Sequence, residues 1–169
     1  MNNVDILDEE LYSEEQFEQE LALMIIESIG ATDEEKQRKI KIIAGKIAEK
    51  FSSYKAKAIE MLRDAERLDK LLSEVQNKMN QMGEKGEQFA YIPEMVMLIR
   101  SFIIKEYNDI SLGKIVLIIA ALIYYVSPLD VIPDGIPVLG LLDDAIVSKF
   151  VMKWCNTEIS KYMDWRKSK

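Results

Sequence analysis

Residues 127–144, SPLDVIPDGIPVLGLLDD, constrain the fold of this chain more than any other stretch. They hold three of its four prolines, Pro128, Pro133 and Pro137, together with Gly135, Gly140 and the aspartates Asp130, Asp134, Asp143 and Asp144. Each X-Pro step removes a backbone donor and pushes the preceding residue out of the helical region, so no helix can run through the segment. The residues between are Leu129, Val131, Ile132, Ile136, Val138, Leu139, Leu141 and Leu142, which are apolar enough to be buried. A buried loop must satisfy its own backbone groups, and the aspartates are the side chains placed to do so.

On both sides of this loop the spacing of apolar residues is helical. Phe17, Leu21, Met24, Ile25 and Ile29 make one face, stopped by Gly30. Thr32 with Glu35 reads as a capping box opening a second helix, whose face is Ile40, Ile43, Ala44, Ile47 and Phe51. Ser52-Ser53 reads as a break or as a polar turn within a longer helix. From Tyr54 to Met82 the steps of three and four predict a long amphipathic helix of about 30 residues, in keeping with a coiled-coil arm. Gly83 and Gly86 end it and mark the expected boundary between an arm, 1–86, and a carboxy-terminal unit, 87–169. Ile92-Pro93-Glu94 starts a helix running to about Tyr107, and Ser111 caps the next. Ile115–Val126 is a run of twelve residues without a charge, short of the about 20 a membrane-spanning helix needs. The run fits a helix buried on all sides in a bundle, with a shallow or re-entrant membrane segment as the alternative. A last helix carries Ile146, Phe150, Trp154, Ile159 and Tyr162, with Asp143 and Asp144 in its first turn. The expected fold is all-α, of about six helices, with the last three and the proline-rich loop forming the compact unit.

The run YYVSPLDVIPDGIPVLGLLDD resembles the signature of the YkvA-like family, small helical domains of unknown function found mainly in bacteria. The positions that carry the resemblance are Ser127, Pro128, Asp130, Ile132, Pro133, Asp134, Ile136, Pro137, Gly140, Asp143 and Asp144. Gly135 departs from the pattern, which commonly has a bulky apolar residue there. The resemblance covers about Leu112 to Val151. It implies a helical domain and, for some relatives, membrane association, with no agreed reaction.

Composition narrows the chemistry. The chain has no histidine, which removes imidazole zinc sites and every Ser-His or Cys-His nucleophile. Its single cysteine, Cys155, allows no internal disulfide, and it sits in an apolar stripe as an inert core thiol. Residues 1–10 are acidic and lack the pattern of a secretory signal, so a cytoplasmic setting is expected, at a membrane surface or away from one. Residues 1–35 carry twelve Asp or Glu and no Lys or Arg; the whole chain is at −7, leaving +5 on the remainder. The acidic start argues against a nucleic-acid partner, and the basic last 21 residues favour anionic surfaces.

The four aspartates admit two readings. In one, Asp130, Asp134 and Asp143 or Asp144 are oxygen ligands for a divalent cation such as Mg²⁺, Mn²⁺ or Ca²⁺, which would activate water or orient a phosphate in a metal-dependent enzyme. In the other, which the residues favour, Asp130 and Asp134 accept backbone donors as Asx-turns do. Asp143 or Asp144 then caps the last helix, and Lys114 or Arg100 neutralises one carboxylate, with no cofactor. Tyr124 and Tyr125, one turn before the loop, are expected to pack beside it with a hydroxyl on its backbone. The functional expectation is a non-catalytic helical module that binds a protein partner or a membrane surface, with homo-oligomers through the amphipathic helices. The alternatives are the metal-dependent enzyme and an integral or re-entrant membrane protein.

The two readings of the aspartates separate in one experiment. If Asp134 accepts backbone donors, Asp134→Ala lowers stability by about 1–3 kcal/mol and Asp134→Asn by less, because the amide keeps an acceptor oxygen. Thermal melts of both variants are then indifferent to Mg²⁺, Mn²⁺ or chelator. A melting temperature that falls on chelation in the unmodified protein, and not in the variants, gives the metal reading instead.

Overall fold

A computed structural model describes residues 13–82, 91–127 and 143–169, and the regular structure in them is entirely helical. Among the described residues there are six helices: α1 Glu14–Ile29, α2 Glu34–Met61, α3 Ala65–Met82, α4 Ile92–Ile103, α5 Leu112–Val126 and α6 Asp143–Lys167. The all-α expectation holds. The boundary expected at Gly83 and Gly86 falls outside the described residues.

The uncharged run places α5 at the centre. From Ile115 to Tyr125 no residue is more than 5% exposed. Helices α2, α3, α4 and α6 each pack against α5, while α1 lies along α2 and touches α6. A helix apolar on every side is stable in water only when neighbours cover every side, and these four do so. The buried apolar residues of all six helices form one cluster. Phe17 of α1 knits three elements together: it stacks on Phe51 of α2 at 4.7 Å between ring centroids, and meets Phe150 and Trp154 of α6 edge-on at 4.9 and 5.6 Å. The Trp154 indole N–H donates to Glu20 on α1 at 3.1 Å, satisfying the polar end of a buried ring.

The structure adds a cap at the start of α1 and departs from the sequence reading in three places. Ser13 and Gln16 form a capping box at the start of α1, the Ser13 hydroxyl accepting from the Gln16 amide at 3.1 Å. The N-cap of α2 is Asp33, not Thr32; its carboxylate accepts from the Glu35 amide at 3.1 Å. Ser52-Ser53 does not break the helix: the Ser52 hydroxyl bonds Glu14 on α1 at 3.1 Å, and α2 continues to Met61. The long helix expected over Tyr54–Met82 is therefore two helices. The break lies at Leu62–Asp64, where the Asp64 carboxylate accepts from the Arg67 amide at 3.2 Å and its carbonyl from the Leu68 amide at 3.1 Å. A short acidic side chain that can take an orphan donor at a new N-terminus outweighs a continuous apolar stripe.

The third difference is α4, which stops at Ile103 rather than near Tyr107. It closes with a Schellman motif in which the Lys105 amide bonds the Phe102 carbonyl at 3.1 Å and the Glu106 amide the Ser101 carbonyl at 3.0 Å. Lys105 takes the left-handed conformation, φ 63°, that the motif requires. Helix α1 ends in the same way, with Gly30 at φ 64°. A Cβ at Gly30 would meet nothing within 4 Å, so the backbone alone sets the cost of a side chain there. Opposite outcomes are expected from one cause: Gly30→Ala lowers unfolding free energy by about 1 kcal/mol, and Lys105→Gly raises it by about 0.5–1 kcal/mol. Denaturant titration of the two variants checks both signs.

Candidate functional site

The residues singled out in sequence divide between three places. Ser127 is the residue just past α5, exposed at the end of the helix. Asp143 and Asp144 are the first two residues of α6, as their place in its first turn requires. Pro128, Asp130, Pro133, Asp134, Pro137 and Gly140 lie outside the described residues, as do the side chains of Asp143 and Asp144. The structure therefore defines the frame into which the signature segment is set: the end of α5 and the helices around it.

That end is built from polar groups on α2 and α3. The last carbonyls of any helix have no intrahelical partner and carry the negative end of its dipole. Here Lys78 of α3 donates to the Tyr125 carbonyl, and its ammonium stands 4.6 Å from the centre of the Tyr125 ring. The Tyr54 hydroxyl of α2 donates to the Ser127 carbonyl at 3.2 Å, and its ring meets Tyr124 edge-on at 6.2 Å. Burial pushes the Tyr54 phenol above its usual range, so it remains a donor. Lys50 and Lys57, one turn before and one turn after Tyr54, lie over its ring at 5.8 and 5.6 Å. Three lysines thus surround the point at which a segment bearing four aspartates leaves α5. Tyr124 and Tyr125 are both buried.

The sequence points to Lys114 or Arg100 as a counter-charge for one aspartate; those carboxylates lie outside the described residues, and among the described residues the two cations have other partners. Arg100 pairs with Asp69 of α3 at 3.6 Å. The Lys114 ammonium donates to the Trp154 carbonyl on α6 at 2.6 Å. Lys50, Lys57 and Lys78 went unnoticed, although a signal was present. Lys78 interrupts the apolar stripe of α3 three residues after Val75, and Lys50 and Lys57 bracket a tyrosine at helical spacing.

Near Lys114 lies the chain's only thiol. Cys155 is fully buried, and burial pushes its pKa up to about 12, with the Lys114 charge opposing part of the rise and the Glu158 carboxylate adding to it. Such a thiol is packing, not a nucleophile. The Tyr107 phenol, which the Glu158 charge also acts on, is likewise raised, by burial first and by Asp109, Glu158 and Tyr162 after that. Among the described residues no three acidic or cysteine side chains are grouped to hold a metal ion.

The thiol gives a pH test. Between its unfolded value near 9 and its folded value near 12, the native state holds a proton that the unfolded state has lost, so this contribution to stability is present below pH 9 and falls as pH rises. The stability difference between the unmodified protein and Cys155→Ala is expected to shrink from pH 8 to pH 10.5. Alkylation of the native thiol at pH 8 is expected only at the rate of unfolding.

Comparison with known proteins places this frame. A model of a family described as a protein of unknown function, DUF1232, matches residues 114–150, which run from the start of α5 through the signature segment into α6. A protein of Bacillus subtilis (strain 168) named "Uncharacterized membrane protein YkvA" is 34% identical over 76 residues, covering 45% of this chain and 72% of that protein. No solved structure matches. The identity over most of the relative's length, and a family model that spans the central helix and the proline-aspartate segment, make this chain a member of the YkvA-like family.

Proposed function

We propose that this protein is a non-catalytic helical module that associates with a membrane surface through one end of its bundle, the end at which α5 begins. The observation that carries this reading is the exposure of large aliphatic side chains there. Ile104, just past α4, is 63% exposed, and Leu112, the first residue of α5, is 38% exposed. The left-handed Lys105 turns the chain directly after Ile104. Tyr107 of the same connection packs on Trp165 and on Tyr162 of α6, each at 5.1 Å between centroids, and the Lys169 ammonium stands 4.3 Å from the centre of the Trp165 ring. Lys161 reaches back to Asp109 at 4.0 Å, tying the end of α6 to this connection.

An aliphatic pair beside a tyrosine–tryptophan cluster, with Lys105, Arg166 and Lys169 around it, has the chemistry of an interfacial anchor. Apolar tips enter the acyl boundary, aromatic rings sit at headgroup level, and ammonium groups meet anionic phosphates at about 1 kcal/mol each. The contact proposed is with the surface. Among the described residues no helix is long and apolar enough to cross a membrane, and the most apolar of them, α5, is enclosed by four others. The name of the Bacillus subtilis relative, which calls it a membrane protein, supports a membrane setting for the family.

Flotation with lipid vesicles tests the reading. The protein is expected to float with vesicles rich in phosphatidylglycerol and to stay behind with neutral phosphatidylcholine. Ile104→Gln combined with Leu112→Gln is expected to reduce the bound fraction several-fold without lowering the melting temperature, both positions being exposed. Binding to neither vesicle, or binding indifferent to the double variant, rejects this end of the bundle as the anchor.

A further inference from the structure

Helices α1 and α2 share one face of the bundle. Helix α1 carries five glutamates and no lysine or arginine, whereas the part of α2 beside it, from Glu34 to the Ser52 that meets Glu14, carries six lysines and arginines against three glutamates. The two helices lie side by side, so an acidic strip and a basic strip share one surface. Each strip bears one large exposed aliphatic residue: Leu23, 58% exposed, on α1 and Ile42, 56% exposed, on α2. Between the helices runs an open groove of about 330 Å³, lined by Glu18, Gln19, Ala22, Leu23, Ile26 and Lys41. Gly45 makes the close approach under it possible. The Glu18 carboxylate lies 3.0 Å from where a Cβ on Gly45 would stand.

We propose that this face is a homodimer interface, formed about a two-fold axis running along the groove. Rotation about such an axis sets α1 of one copy against α2 of the other at both seams, so each acidic strip meets a basic one and residue i contacts j as j contacts i. Leu23 and Lys41 both line the groove and Ile42 is the residue after Lys41, so the two aliphatic side chains start within about one helical turn of the same level. The rotation preserves that level and brings Leu23 of one copy over Ile42 of its partner. A partner of one charge would complement only half of the face; a second copy complements both halves. Helix α1 is about 24 Å long, so a patch two helices wide lies at the small end of specific interfaces, and the dimer is weak and strengthened at low salt.

Sedimentation equilibrium on the full chain tests this. The unmodified protein is expected to dimerise reversibly, with a dissociation constant that rises with added salt. Leu23→Lys places a cation against the partner's basic strip and Ile42→Glu an anion against its acidic strip, and each is expected to weaken dimerisation about tenfold or more. An equimolar mixture of the two variants is expected to associate as well as the unmodified protein, because one seam then pairs Lys with Glu and the other keeps Leu with Ile. Both positions are exposed, and unchanged thermal melts verify folding; Leu23→Gln, with no new charge, is expected to weaken the dimer less. A monomer at every concentration, a dimer indifferent to both substitutions, or a mixture no better than the separate variants overturns the proposal. So does a monomer whose vesicle flotation depends on Leu23, which assigns the face to a bilayer.

Discussion

The structure depends on the enclosure of one helix. Twelve consecutive uncharged residues cannot stand at a water boundary, and fully burying each large aliphatic among them contributes about 1.5–3 kcal/mol. Exposed ion pairs such as Lys39–Glu35 contribute about 0–1 kcal/mol each. The placement of α2, α3, α4 and α6 is thus set by what covers α5, and surface pairing only trims the result. The mixed polarity of those four helices has the same origin, since each needs an apolar face toward α5 and a solvated one away from it.

Apolar enclosure says little about register, because burial is non-directional. Register is set where side chains cross from one helix to a backbone group of another. Tyr54 and Lys78 fix the end of α5 against α2 and α3, Lys114 fixes its beginning against α6, and Ser101 with Tyr162, 2.8 Å apart, joins α4 to α6. Each such bond is modest in net free energy, yet a slip that breaks one leaves a partly buried polar group unpaired, at about 1–3 kcal/mol. The few polar groups in the interior therefore choose among packings that the aliphatic residues alone would leave nearly equal.

The sequence made the helices legible, and the uncharged run in particular, because apolar periodicity reports the same burial that builds the core. Ser111 and Gly30 were legible because their caps act within a few residues of their own positions. The break at Asp64 was not, since an apolar stripe passing through Leu62, Ala65 and Leu68 keeps helical spacing across a one-turn interruption. Nor was the stop at Ile103: it relies on a lysine in a conformation usually left to glycine. The frame of the candidate site was harder still. Tyr54 and Lys78 come from two helices and converge on the end of a third, and no local pattern records a contact across 73 or 47 residues of chain.

Lys114 shows what such placement involves. A cation in the first turn of a helix stands at the positive end of the dipole, and here it also opens the most apolar helix in the chain. Two features of α6 offset this. The Trp154 carbonyl accepts from the ammonium at 2.6 Å, and the Glu158 carboxylate, one turn further on, supplies negative charge to the same neighbourhood, where both groups act on Cys155. One oxygen of Glu158 is buried without a hydrogen-bond partner among the described residues, a position tolerable for a carboxylate only beside positive charge. Lys114 thus ties α5 to α6 through the Trp154 carbonyl, at the first residue of the region that the family model matches.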